Sequence, residues 1–339
     1  MGQECVIGLD LAKRFFQVHG VDANGKVVVR KRLTREQVLR YFAQLPRCIV
    51  GMEACGGSHH WARELAKLGH EPRIMSAHYV KPYVKTNKND AADAEAICEA
   101  VGRPNMRFVA VKSLEQQDVL ALHRVRARLV KSRTALVNEI RGLLHESGIV
   151  LPKGIQHVRA SLPRLLEDLE NVLTALQRDM FSDLYTELVD TDERIAKLER
   201  QLKAVAAACP SCARLRKIPG IGVLASTALV ATVGDARCFR NGRELSAWLG
   251  IVPRQHSSGG KERLLGISKR GDSYLRWLLI HGGRAVLRYA AGKDDARSLW
   301  LMGLSARRGK LRAAVAQANK IARTAWVVLA RGEEYRAAA

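Results

Sequence analysis

Residues 48–57 read CIVGMEACGG, and the fold is decided by how that stretch is read. The apolar run CIVGM leads directly into Glu53, and the pair Gly56-Gly57 follows. This reads as a buried strand that delivers one carboxylate to the end of a sheet, then a turn into a helix. Upstream, VIGLD does the same for Asp10. Downstream, NDAADAEAI carries Asp90 and Asp93 one helical turn apart, so both side chains point the same way. Carboxylates arriving from two strand ends and one helix suit a divalent cation. Mg2+ takes oxygen ligands, and one or two carboxylates per ion leave room for a phosphate. Two such ions about 3.5–4 Å apart clamp the attacking and leaving oxygens of a phosphodiester. A single acid at a strand end is more often a solvated terminus or a helix cap. The order D…E…D-x-x-D on a β-rich start is what argues for a site.

The chain of 339 residues is long enough for two domains, or for one domain and an elongated element. Its charge is far from balanced: 56 Lys and Arg stand against 33 Asp and Glu, a net charge of +23. An excess of that size points to a polyanion, and nucleic acid is the commonest one. A ribosome-like or membrane-surface role is the plainer alternative, but a basic chain with a separate acidic cluster fits a nucleic-acid enzyme better. No run approaches the 18 apolar residues of a membrane span. MGQECVIGLD enters the first strand at once, which leaves no room for a signal peptide, and Val6 breaks the myristoylation pattern. Seven scattered cysteines suit reduced thiols in a cytosol. Cys209-Pro-Ser-Cys212 is a lone CxxC with no second pair, so zinc or redox chemistry there is not expected.

Along the chain, CVIGLDLA, FFQVHGV and KVVVRKRL read as strands, the last two joined by a turn at Asp22-Ala23-Asn24-Gly25. A helix from Thr34 to about Gln44, the strand to Glu53, a helix over about His59–Leu68 and the short strand EPRIMSA complete an α/β domain with some antiparallel pairing. His59 and His60 read as structural or surface residues. The stretch HYVKPYVKTNKN is expected to be a loop. Its Lys81, Lys85 and Lys88, interleaved with Tyr79 and Tyr83, are candidates for phosphate contact and base stacking.

From Ser113 the pattern changes. Leu122, Leu129, Leu136 and Leu143 recur every seven residues among many arginines. After SGIVLPKG, Leu162, Leu166, Leu169, Leu173, Leu176 and Met180 step by fours and threes, and Leu188, Ile195, Leu198 and Leu202 resume after a slip. These are heptad-grade seams and predict a long antiparallel helical hairpin or an intermolecular coiled coil, a spacer and assembly element. From about residue 206 the chain is mostly helical and basic. Pro219-Gly220-Ile221-Gly222 reads as a helix-hairpin-helix turn, in which Gly220 and Gly222 would expose backbone N–H groups to a phosphate. SSGGKERLLGISKRG combines hydroxyls, glycines and cations, the ingredients of a loop that brings a nucleophile to a phosphate.

In these motifs the chain resembles the IS110/IS1111 insertion-sequence transposases over nearly its full length. GLDLAK, GMEACGG and KNDAADAEAI look like the family's three acidic blocks. IPGIG and WLGIVPRQHSSGGKERLLGISKRGD look like its C-terminal domain, and the HSSGGKER form leans to the IS1111 branch. The resemblance implies an RNase H-like (RuvC-like) DEDD domain over residues 1–112, with Asp10, Glu53, Asp90 and Asp93 holding Mg2+ (Mn2+ is also possible). It implies a coiled-coil assembly region over 113–205 and a transposase domain over 206–339. In that last domain the serine directly before glycine, Ser258, would attack DNA and form a phosphoserine, with Ser257 standing beside it. Arg254, Lys261, Arg263, Lys269 and Arg270 would surround the phosphate. Expected partners are donor and target DNA, a structured guide RNA encoded by the element, and further copies of the chain (a dimer or tetramer). No membrane is involved, and the expected location is the bacterial cytoplasm at the nucleoid. Two other readings remain open from sequence: a RuvC-like nuclease or resolvase working with metal and water alone, and a non-catalytic nucleic-acid-binding protein. An actin-like ATPase, which opens with a similar strand, lacks its second phosphate loop here.

Overall fold

The computed structural model describes residues 5–85 and 89–336, so Lys88 lies outside the described residues. The chain forms two compact units, Met1–Ser113 and Leu114–Ala339.

The first unit runs β1 (Cys5–Asp10), β2 (Phe15–Val21), β3 (Val27–Thr34), α1 (Gln37–Phe42), β4 (Cys48–Glu53), α2 (Ser58–Lys67), β5 (Glu71–Met75), α3 (Ala77–Val80), α4 (Asp90–Val101) and β6 (Phe108–Val109). The sheet order is β3-β2-β1-β4-β5-β6. β1, β2 and β3 pair antiparallel, β1, β4 and β5 pair parallel, and β6 returns antiparallel. The Asp22 carboxylate builds the β2–β3 turn by accepting from the N–H groups of Asn24 and Lys26, each at 2.9 Å, while Gly25 takes the positive φ of 79° that the turn needs. Alternation divides the strands between two cores. Ile7, Leu9, Val50 and Met52 join Phe42, Trp61 and Leu65 on one face. On the other face Val6 and Ile49 meet Ile97, Ala100 and Val101 of α4. The stretch expected to be a loop before Asp90 is a correction: α3 fills its first part, and a 3-10 turn, Lys81–Tyr83, follows. Buried Val80, with Tyr83 and Val84 packed on the α4 core, supplies the burial that makes this segment fold back.

The second unit opens with α5 (Leu114–Glu146), α6 (Ile155–Glu167) and α7 (Ala175–Ala208). Arg126 pairs with Glu199 at 2.6 Å, Arg133 pairs with Asp192 at 2.7 Å, and Gln177 donates to Ser147 at 2.9 Å. Numbers rise along α5 as they fall along α7, so the two helices are antiparallel. Their seam buries Leu129, Leu136, Ile140 and Leu144 against Phe181, Leu188, Ile195 and Leu202. The expected stepping through Leu169, Leu176 and Met180 needs correction. α6 ends at Glu167, and a capping box of Thr174 with Gln177 restarts the helix in a new phase. Leu169 and Leu176 are exposed, and Phe181 takes the buried place that Met180 was expected to fill.

Next come α8 (Pro210–Arg216), α9 (Val223–Val233), α10 (Gly242–Trp248), β7 (Pro253–Gln255), β8 (Leu264–Ile267), α11 (Ser273–Arg288), α12 (Ala296–Arg308) and α13 (Lys310–Arg331). α9 is apolar nearly all round, and it is buried accordingly, with Leu229 against Leu245, Leu279 and Ile321 in one core. His123 of α5 crosses this core. It lies 2.9 Å from Thr227 Oγ1 on α9 and 3.0 Å from Tyr274 Oη on α11.

Candidate active site

The acids owe their placement to two glycines. Gly8 stands two residues before Asp10 and Gly51 two before Glu53, so each glycine shares a sheet face with its acid. A Cβ on Gly8 would lie 2.2 Å from the Ala94 carbonyl oxygen, and one on Gly51 would lie 2.8 Å from Val101 Cβ. α4 therefore lies directly on β1 and β4, a closeness only glycine permits. That contact carries the first turn of α4, with Asp90 and Asp93, to the C-terminal ends of the strands that carry Asp10 and Glu53. Asn89 caps the helix by accepting from Ala92 N–H at 2.8 Å.

Electrostatics record the convergence. The Asp10 carboxyl is raised to about 6, first by burial and then by the charges of Asp93, Asp90 and Glu53. The neighbouring Cys55 thiol is raised by burial, Asp10 and Glu53. An all-oxygen donor set of this kind suits Mg2+. Among the described residues no three acidic, histidine or cysteine groups stand at ligating distance from one centre as they are, so the carboxylates must turn inward to hold an ion. Of the expected lysines, Lys81 is exposed on the 3-10 turn, and Lys85 reaches within 3.7 Å of Glu95 on α4.

In the second unit, the expected serine loop is a β-hairpin, which corrects the sequence reading. β7 and β8 pair antiparallel, and Ser258 bridges Lys261 beyond them. Two glycines at positive φ, Gly259 at 55° and Gly260 at 76°, form the two-residue turn that matches strand twist. The Lys261 N–H donates to the Ser258 carbonyl at 3.1 Å. The two serines differ in role. Ser257 Oγ accepts from Gln255 Nε2 at 3.1 Å and from the Arg263 N–H at 3.2 Å. Among the described residues the Ser258 hydroxyl has no hydrogen-bond partner, and it is exposed. Arg254, Lys261, Arg263, Lys269 and Arg270 are exposed as well. The root of the hairpin is tight: a Cβ on Gly271 would lie 1.9 Å from the Trp248 carbonyl, and Lys269 accepts a positive φ of 55°. Gly220, at φ 94°, packs on Gly282 of α11, whose Cβ would lie 2.1 Å from the Gly220 oxygen. Gly222 is exposed at the N-terminus of α9. The turn thus serves packing at Gly220 and leaves Gly222 exposed.

Comparison with known proteins fixes the family. A model of DEDD-type IS110 proteins, described as "Transposase", matches residues 7–149, and one described as "Transposase IS116/IS110/IS902 family" matches residues 212–298. A protein of Pseudomonas aeruginosa named "Probable family 20 transposase" is 54% identical over 97% of this chain and 98% of its own length. The "Transposase for insertion sequence element IS1111A" of Coxiella burnetii is 50% identical over 98% of this chain and 92% of its own. The chain belongs to the IS110/IS1111 family of transposases. The "Transposase for insertion sequence element IS1328" of Yersinia enterocolitica is a more distant relative, 40% identical over 96% of this chain and 97% of its own. This transposase therefore acts on DNA, and its DEDD class is in general metal-dependent. Among the described residues no helix is long and apolar enough to cross a membrane.

The sequence singled out the four acids and Ser258 as candidates, but Gly8 and Gly51 were passed over. Their signal was present as a glycine two places before each strand-end acid. It also missed His123, which sits in a helix crowded with arginines.

Proposed function

We propose that this transposase is an RNA-guided DNA recombinase that cuts and rejoins strands through Ser258, assisted by Mg2+ held by Asp10, Glu53, Asp90 and Asp93. The observation that carries the reading is the close packing at Gly8 and Gly51, which brings the first turn of α4, with Asp90 and Asp93, towards the strand ends that bear Asp10 and Glu53. Nothing in the packing of a sheet end calls for four like charges, and a cation site does. The antiparallel–parallel sheet order supports an RNase H-like fold of the RuvC kind for residues 1–112. The antiparallel helices over 113–205 support an assembly element for a dimer or tetramer. The Gly222 turn supports a helix-hairpin-helix contact to phosphate within 206–339. The guide RNA, and a place at the bacterial nucleoid, come from the family likeness and from the net charge of +23.

In this scheme the Ser258 oxygen attacks phosphorus, its proton passes to solvent, and the departing deoxyribose oxygen is protonated. The phosphodiester energy is kept in the phosphoserine, so rejoining needs no outside energy source. Bound Mg2+ would supply Lewis-acid polarisation of phosphate oxygens. The exposed arginines and lysines of the hairpin stabilise the charge of the pentacovalent phosphate. Ser257, tied to Arg263 and Gln255, holds the shape of the hairpin and leaves Ser258 free to react.

The test is to incubate protein, Mg2+, guide RNA and labelled target DNA, quench in denaturant, and look for DNA attached to protein. Ser258→Ala should lose the adduct and Ser257→Ala should keep it. Strand cleavage with no adduct in the unaltered protein would leave hydrolysis by metal and water as the reading.

A further inference from the structure

The sheet face that carries Asp10 does not end there. Asp10 lies opposite Gln17 on β2, and Gln17 lies opposite Arg32 on β3. One step back, Gly8 lies opposite His19, and His19 lies opposite Arg30. Residues directly opposite one another share a face. Glu53, Asp10, Gln17 and Arg32 therefore form a row across four strands, and Arg30 stands beside it. Strands run about 4.8 Å apart, so the Arg32 backbone is about 10 Å from that of Asp10.

Asp10 is shifted by burial, the other three carboxylates and a backbone hydrogen bond, while the Arg32 guanidinium lies 3.8 Å over the ring of Phe15. Among the described residues Arg32 has no acidic partner. Arg30 reaches Glu95 only at 3.8 Å, with 68% of its side chain exposed, a pairing too weak to explain an arginine on an edge strand. Between β3 and the start of α4 runs a groove of about 380 Å³, lined by Gln17, His19, Arg30, Arg32, Asn89 and Glu95.

We propose that this β2–β3 face is a DNA-positioning surface: Arg32 and Arg30 take phosphates of the same strand whose scissile phosphate faces Asp10 and Glu53, and Phe15 fixes the guanidinium of Arg32 in advance. The proposal rests on the acids being the active site. A planar guanidinium braced on an aromatic ring loses little freedom on binding phosphate. Gln17, in the row between acid and arginine, offers both a donor and an acceptor to the connecting sugar.

The experiment uses the full chain and a labelled target DNA duplex, with affinity measured across a range of salt. The double variant Arg30→Gln/Arg32→Gln should flatten the slope of log K against log[salt] by about 1.8, at about 0.9 per lost contact. It should also lower recombination at least tenfold. The control Arg40→Gln/Arg47→Gln, two exposed arginines outside this row, should leave the slope unchanged. Equal flattening by both pairs, or none by the first, overturns the proposal. So does loss of guide-RNA affinity with the DNA slope intact. Asp10→Asn separates the two readings. Recombination that survives this change sinks the active-site assignment, whereas the slope measurement judges the arginines alone.

Discussion

Asp10 and His123 are both ionisable groups taken out of water, and burial moves them in opposite directions, Asp10 up to about 6 and His123 down to about 4. For Asp10 the neighbours compound the cost. Asp10→Asn should therefore stabilise the ion-free protein by ~1–2 kcal/mol at pH 8, after allowance for partial exposure, while recombination falls at least 100-fold. Thermal unfolding and strand exchange on the same preparation check the pair of outcomes. A change that costs activity while raising stability marks a functional rather than a structural charge. For His123 the sign runs through the unfolded chain, whose histidine titrates near 6.5. Between about 6.5 and 4 the unfolded state binds the extra proton, so stability should fall as pH drops through that window, by ~3 kcal/mol in all. His123→Gln should flatten this dependence, as read from urea midpoints at pH 7.5 and 4.5. The carboxylates were legible because an apolar run ending in an acid is itself a signal. His123 was not, because a lone histidine on a helix says nothing until Thr227 and Tyr274 arrive from helices more than a hundred residues on.

At the scale of elements, close packing of α4 on β1 is the step that assembles the acids. Gly8→Val should place methyl groups into the backbone of α4 and cost ~3 kcal/mol or more, as overpacking at an unyielding contact does. Asp90 and Asp93 should then lose their place, and activity should fall even below the melting point, which circular dichroism and recombination assays at 15 °C would show. In the paired helices, Leu129→Lys/Leu136→Lys should disrupt the buried seam and change the sedimentation profile, whereas Leu169→Lys, at a position 78% exposed, should be silent in sedimentation. The strands and the long helices were readable from period two and period seven. The phase of α7 was not, since Leu169, Leu173 and Leu176 continue a leucine rhythm through a segment where the chain leaves the helix. The β7–β8 hairpin escaped for a different reason: its strands are short and exposed, so no apolar alternation announces them. Only the turn Ser258-Gly259-Gly260-Lys261 carried a signal.

For the molecule as a whole, the net charge of +23 should make DNA affinity fall steeply with salt, by several orders of magnitude between 50 and 200 mM if about six to ten phosphates are engaged. The α5–α7 pair has a further consequence at this scale. Its two ion pairs, Arg126 with Glu199 and Arg133 with Asp192, are seven residues apart on both helices. The arm is therefore built like a telescoping rule with one graduation per heptad. Seven residues removed from each helix, one rung among them, would shorten it by about 10 Å and bring matching faces back together. Seven removed from one helix alone would leave the positions beyond the cut facing the wrong step. The length of the helical pair can thus change only in whole heptads, and Arg159 of α6, which also bonds Asp192, must keep its place when it does.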